Sequence, residues 1–369
     1  MSPSSHFVPV TFDDLPGWTA DDHSAAYAAF RRSALRVAEK PYRSGSLGIA
    51  LEAFAAAYDE ARRVESLNAT AACDFFERHF SPWRVVPGGD AAHGFVTGFY
   101  EPEAEASPRQ GGHFQYPILS RPADLVDIDE TNRPAGLDPY LAFGRQTRDG
   151  IVEYYDREAI ESGVLNGQGL EMAWLADPVD VFFIHVQGAA RLKMTDGSVK
   201  PVTYAAKSGQ RFTGVGKILA EMGEIPLKHV TMQSIRAWFV RHPERVEEIL
   251  WQNRSFIFFR DAPVPDPSLG PVAAAKVQLA AGRSIAVDRL LHTFGTPFYV
   301  HAETLTAFAQ KPFRRLMIAQ DTGSAILGPA RGDLFAGSGP QAGEIAGGIK
   351  HPADFYALVP RQLSKSWAS

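Results

Sequence analysis

Apolar residues recur at helical spacing through the first eighty positions. Tyr27, Phe30, Ala34 and Val37 fall on one face of a helix that Thr19 is placed to cap and Pro41 to stop. A second amphipathic segment carries Leu51, Phe54, Ala55 and Tyr58, and a third carries Ala72, Phe75, Phe76 and Phe80 ahead of Ser81-Pro82. From Trp83 the period changes. Short β segments are predicted at Trp83 to Val86 and Gly94 to Tyr100, divided by the turn Pro87-Gly88-Gly89, and then at Tyr116 to Leu119, Val181 to Val186, Leu192 to Met194 and Val199 to Tyr204. The Asp196-Gly197 pair between the last two marks a hairpin. Helical faces return at Val215 to Met222 and Thr231 to Val240, and the proline-rich stretch Pro263 to Pro271 reads as a crossing between domains. A final strand spans Phe355 to Val359, and the tail from Arg361 reads as frayed.

Late in the chain, Leu316 to Ala319 reads as an apolar strand running into Asp321, followed by a glycine-punctuated loop and then Asp333 with Leu334-Phe335 behind it. Asp288 ends another strand, before the glycine turn at Gly295. Gly323, Gly328 and Gly332 admit positive φ or close approach to the main chain. Two acids thus stand beside sharply bending backbone.

With 369 residues the chain is long enough for two ordinary domains, or for one large domain with an insertion. Thirty-seven basic against 42 acidic residues give a net charge of −5 without long single-sign runs, which disfavours nucleic acid and anionic membranes as partners. Gly 32 and Pro 26 point to a turn-rich, strand-rich fold. The single cysteine, Cys73, cannot form an intramolecular disulfide and is expected to pack in the core. No apolar run reaches membrane-spanning length, and the first residues show neither a signal-peptide pattern nor a lipid-attachment cysteine, so the chain as given is expected to be soluble.

A carboxyl in a partly apolar pocket stays protonated near neutral pH and can deliver its proton to a leaving glycosidic oxygen. Asp333, between Gly332 and Leu334, fits that role. Asp321, in an Asp-Thr-Gly setting, is expected to accept backbone donors, keep a low pKa and shape its loop, and Asp288 to act alike. Other chemistries find no constellation. The glycines around Lys217 lack phosphate-loop spacing, His185 has no nucleophile elbow, and the eleven histidines are dispersed without a metal-ligand pattern. Gln187 is a better binding candidate than His185, because its amide both donates and accepts. No metal, nucleotide, flavin or other cofactor is implied.

The segments AVD…GTPFYV, AQDTGSAI and GDLFAGSG, which carry Asp288, Asp321 and Asp333, resemble the three-aspartate module of the lytic murein transglycosylase A family. TGFYEPEAEAS, FQYPILSRP, FFIHVQGAARLKMTDGS, YAAKSGQRFTGVGKIL, MQSIRAWFVRHPE and QNRSFIFF match in the same order, from Thr97 onward. The resemblance implies a mainly β fold with α-helices: N-terminal helices and a double-psi β-barrel (1–112 plus 263–369), interrupted by a smaller inserted β-barrel (113–262), with a groove between them. It implies Asp333 as the catalytic acid, with Asp321 and Asp288 supporting. Thr97, Gly98, Tyr100, Gln187, Gly188, Lys207, Ser208, Gly337 and Gly339 are the expected substrate-binding residues. The implied reaction is non-hydrolytic cleavage of the β-1,4 bond between N-acetylmuramic acid and N-acetylglucosamine in peptidoglycan, leaving a 1,6-anhydro end. A monomer acting on glycan strands in the bacterial envelope, in the periplasm or at the outer membrane, is expected. A hydrolase with a second carboxylate and a non-catalytic glycan-binding protein remain as alternatives.

Overall fold

The computed structural model describes residues 5–89, 91–262 and 265–368. It divides into two compact units, Met1–Tyr100 with Val264–Ser369, and Glu101–Pro263. Sheets dominate and helices pack beside them. No helix among the described residues is long and apolar enough to cross a membrane.

In the first unit the expected helices form, with shifted ends. Helix His23–Glu39 is capped by Asp22, whose side chain accepts from Ser24 N, while Thr19 sits in a preceding 3₁₀ turn, Trp18–Ala20. Its face of Tyr27, Phe30 and Ala34 is buried against Phe54, Tyr58, Phe75 and Phe76 from the two following helical segments. Phe30 stacks on Tyr58 at 5.1 Å and Tyr58 on Phe54 at 5.4 Å, an aromatic core that anchors the helices to the strands. Ala55 faces solvent, and Ala57 and Ala61 take the inward positions of helix Ala55–Arg63.

Eight strands make the sheet of this unit: β1 (Phe7–Pro9), β2 (Phe80–Val85), β3 (Gly94–Glu101), β4 (Ser284–Val287), β5 (Pro297–Ala302), β6 (Phe313–Asp321), β7 (Arg331–Ser338) and β8 (Lys350–Pro360). They lie in the order β1-β2-β8-β5-β6-β4-β7-β3, and β8 also pairs with β3, so hydrogen bonding runs round a circuit from β8 through β5, β6, β4, β7 and β3 back to β8. β4 and β6 run parallel.

The tail is not frayed. Arg361–Ala368 is a helix whose Trp367 is buried, stacked on Phe7 at 5.4 Å and edge-on to Trp83 at 5.2 Å, with the Trp83 indole donating to Ser364 Oγ at 3.1 Å. Burial of one large indole outweighs the polar character of the rest of the tail.

In the second unit six strands lie in the order Ile257–Asp261, Val199–Lys207, Ala189–Met194, Glu103–Ser107, Glu171–Leu175 and Tyr116–Leu119, and a bridge from Ser120 to Phe259 links the two ends. The hairpin forms as expected, with Gly197 at φ 86°. The expected strand at Val181 to Val186 is instead helix Pro178–Gln187. Asp177 accepts from Val179 N, Pro178 opens the first turn and Gly188 ends it at φ 75°. The residues from Val181 to His185 are all buried, so no helical periodicity shows in the sequence. This helix shares an apolar cluster with helices Val215–Glu221, Met232–Arg241 and Val246–Trp251. Pro263 and Val264 of the expected crossing lie outside the described residues.

Candidate active site

Strand pairing places Asp333 of β7 opposite Ala286 of β4, and Ala286 opposite Asp321 of β6 across a bulge between Ala319 and Asp321. Paired residues share a sheet face, so both acids project to the same side with one small residue between them. At normal strand spacing their Cα atoms are roughly 10 Å apart. Alternation sends the intervening Gly332 to the opposite face, where a Cβ would collide with Ile285 and Phe355. Beside the acids, Phe99, Leu279, Ala286 and Phe335 form a buried apolar cluster, with the Phe99 and Phe335 rings 5.2 Å apart.

Asp333 is half-buried, and its Oδ1 accepts from Thr97 Oγ1 at 2.6 Å. Arg331, on the same face two residues earlier, donates through Nη2 to Thr97 Oγ1 at 2.6 Å and through Nη1 to the Gly332 carbonyl. Desolvation raises the Asp333 pKa above the usual carboxylate value, against the opposing pull of the Thr97 hydrogen bond and the Arg331 charge. Burial and its two polar neighbours thus pull on the Asp333 carboxyl in opposite directions.

Asp321 departs from expectation. Its Oδ1 accepts from Ala274 N at 3.1 Å, but burial outweighs that donor and pushes its pKa up to about 6, with Asp333 adding to the rise. Asp288 is the loop-shaping acid. Its carboxylate accepts from Leu290 N at 3.1 Å and Gly328 N at 3.0 Å, tying down the loop between Asp321 and Asp333. His292 Nε2 donates to the Pro329 carbonyl at 2.7 Å in the same loop.

The remaining candidates are scattered. Gly98 lies so close to Ala346 and Ile349 that a side chain would clash, and the buried Tyr100 ring packs on Gly343. Gly337 and Gly339 adopt φ 122° and 83°, and Gly339 precedes helix Pro340–Gly347. Strand rise puts Gly337 about 13 Å along β7 from Asp333, too far to touch the same reacting atom. Gln187, Gly188, Lys207 and Ser208 belong to the second unit. There Gln187 and Gly188 end a helix, the Lys207 ammonium sits 5.2 Å from the Tyr140 ring centre, and the buried Ser208 Oγ accepts from Phe256 N at 3.1 Å. Lone His185 is a core residue: its ring lies edge-on to Phe256 at 4.5 Å, and burial beside Arg157 holds its pKa well below the ordinary value. Glu101 is buried in an ion pair with Arg191 at 2.8 Å. Among the described residues no group of three or more His, Cys, Asp or Glu could hold a metal ion. Arg331 went unnoticed in the sequence, although the Arg-Gly-Asp alternation on a strand already places it beside Asp333.

Residues 95–260 match the MltA specific insert domain, and residues 283–359 match the 3D domain. Membrane-bound lytic murein transglycosylase A of Escherichia coli (strain K12) is 31% identical over 282 residues, covering 75% of this chain and 68% of that protein. The crystal structure of a membrane-bound lytic murein transglycosylase from Agrobacterium tumefaciens superposes with a TM-score of 0.92 at 49% identity, covering 98% of this chain and 99% of that one. That of E. coli MltA with bound chitohexaose gives a TM-score of 0.69 at 25% identity, covering 98% and 96%. The chain belongs to the lytic murein transglycosylase A family.

Proposed function

We propose that this protein is a peptidoglycan lytic transglycosylase that cleaves the β-1,4 bond between N-acetylmuramic acid and N-acetylglucosamine without water, with Asp333 as sole acid and base. The observation that carries the reading is the Asp333 carboxyl itself, lifted by burial, held by Thr97 and flanked by the apolar cluster of Phe99, Leu279, Ala286 and Phe335. Protonated Asp333 gives its proton to the glycosidic oxygen as an oxocarbenium-like centre develops at C1. The resulting carboxylate then takes the proton of the C6 hydroxyl as that oxygen bonds to C1, closing the 1,6-anhydro ring and restoring the acid. The E. coli relative crystallised with chitohexaose supports a glycan as the ligand.

We read the six-strand circuit of the first unit as the double-psi barrel and the bridged six-strand sheet between Glu103 and Asp261 as the smaller barrel inserted into it. Relatives named membrane-bound favour a place in the cell envelope. Thr97, bonded to Asp333, would lie next to the sugar at the reacting bond.

One specific observation favours a second reading. Asp321 faces the same side as Asp333, and its raised pKa would suit a base that activates water in an inverting hydrolase, for which carboxyls about 6.5–9.5 Å apart are usual. Digestion of peptidoglycan by Asp333→Asn and Asp321→Asn variants separates the two. Single-acid chemistry is abolished by the first and survives the second, whereas hydrolysis by the pair fails with either.

A further inference from the structure

An arginine guanidinium can only donate hydrogen bonds, and a threonine hydroxyl owns one proton. Since Arg331 Nη2 donates to Thr97 Oγ1 at 2.6 Å, the hydroxyl is free to direct its own proton onto Asp333 Oδ1, also at 2.6 Å. The order of the chain is therefore fixed: Arg331 to Thr97 to Oδ1. Arg331 is in turn held by its bond to the Gly332 carbonyl and by the Phe95 ring, whose centre lies 5.6 Å from its guanidinium carbon. Because Arg331 and Asp333 alternate on β7 around Gly332, the two side chains straddle Thr97 of the neighbouring strand β3.

We propose that Arg331 is a positioning residue which, acting through Thr97, keeps Oδ1 of Asp333 as a hydrogen-bond acceptor and so reserves Oδ2 as the oxygen that gives up and takes back the proton. A free carboxyl could carry its proton on either oxygen and would present the wrong one part of the time. Here Oδ1 is occupied in both states of the acid. The proton leaves Oδ2 for the glycosidic oxygen, and the C6 hydroxyl proton returns to Oδ2, so one oxygen serves both steps without rotation of the carboxyl. Charge-assisted donation along the chain also favours the ionised carboxylate and opposes the effect of burial.

This inference rests on Asp333 being the acid, and its test is arranged to separate the two. Thr97→Val, Thr97→Ser, Arg331→Gln, Arg331→Lys and the Thr97→Val/Arg331→Gln pair are compared with the unaltered protein by pH profiles of muropeptide release, with folding checked by urea unfolding. Arg331→Gln and Thr97→Val are each expected to lower the maximal rate roughly ten- to hundredfold. The alkaline limb of each profile should move upward by about one pH unit, because the carboxylate loses support. Thr97→Ser, which keeps the hydroxyl, should restore rate and limb, and Arg331→Lys, which keeps a donor, should fall between. In maximal rate the double variant should match Thr97→Val alone, while its limb moves further up because the Arg331 charge also acts directly on the carboxylate. An unmoved limb in folded Arg331→Gln, failure of Thr97→Ser to rescue, or additive losses in the pair would overturn the inference. If instead Asp333→Asn stays active, the acid assignment fails first, independently of Arg331.

Discussion

Asp321 and Asp333 both pair with Ala286, Asp333 from an antiparallel strand and Asp321 from a parallel strand across a bulge. Both carboxyls are pushed above the usual value by burial, and Asp321 is raised from 3.8 to about 6. A carboxyl whose folded pKa is raised favours the unfolded chain once it ionises. At and below about pH 4 the cost is absent, it grows as pH rises from 3.8 to about 6, and it is complete above that. Asp321→Asn, which keeps the shape and an acceptor for Ala274 N, is expected to gain about 2–3 kcal/mol of stability at pH 8 and almost none at pH 4, measured by urea unfolding.

Gly332 is where the core meets the site. An added methyl would press into Ile285 Cδ1 and Phe355 Cε1 behind β7. Gly332→Ala is expected to cost about 1–3 kcal/mol by overpacking. Because the strand must shift to relieve the clash, activity should fall further than the stability loss alone explains, read as a lowered kcat in protein that is still folded.

The buried pair of Glu101 with Arg191 predicts a different response in the second unit. Arg191→Met leaves a carboxylate inside without its cation, at a cost of about 3–5 kcal/mol. Replacing both residues with apolar ones of similar size should recover most of that loss, as thermal unfolding of the single and double variants would show.

Much of this was legible from the chain. Tyr27, Phe30 and Ala34 announced their helix by spacing, and the acid beside Leu334-Phe335 stood out as a candidate for desolvation. The helix at Pro178–Gln187 was hidden because burial on all sides erases periodicity, although Asp177-Pro178 and Gly188 mark its two ends. Asp321 was misjudged because a carboxylate's donors can be read from a local turn, while its desolvation depends on packing that only the tertiary fold supplies. Likewise, nothing local links Arg331 to Thr97, which lie 234 residues apart.

The C-terminal helix was missed for the same reason, its partners Phe7 and Trp83 being far away in sequence. Trp367→Ala should lower stability by about 3–5 kcal/mol, as expected for removal of a buried indole. A frayed tail would lose nothing, and urea unfolding separates the two outcomes.

The most direct test of single-acid chemistry is to digest peptidoglycan in water enriched in heavy oxygen and weigh the released muropeptides. Intramolecular attack by the C6 hydroxyl gives new ends lighter than the hydrolytic product by one water and free of label, and none of them with Asp333→Asn. Reducing ends carrying heavy oxygen would contradict it and would make Asp321 the base of a hydrolase.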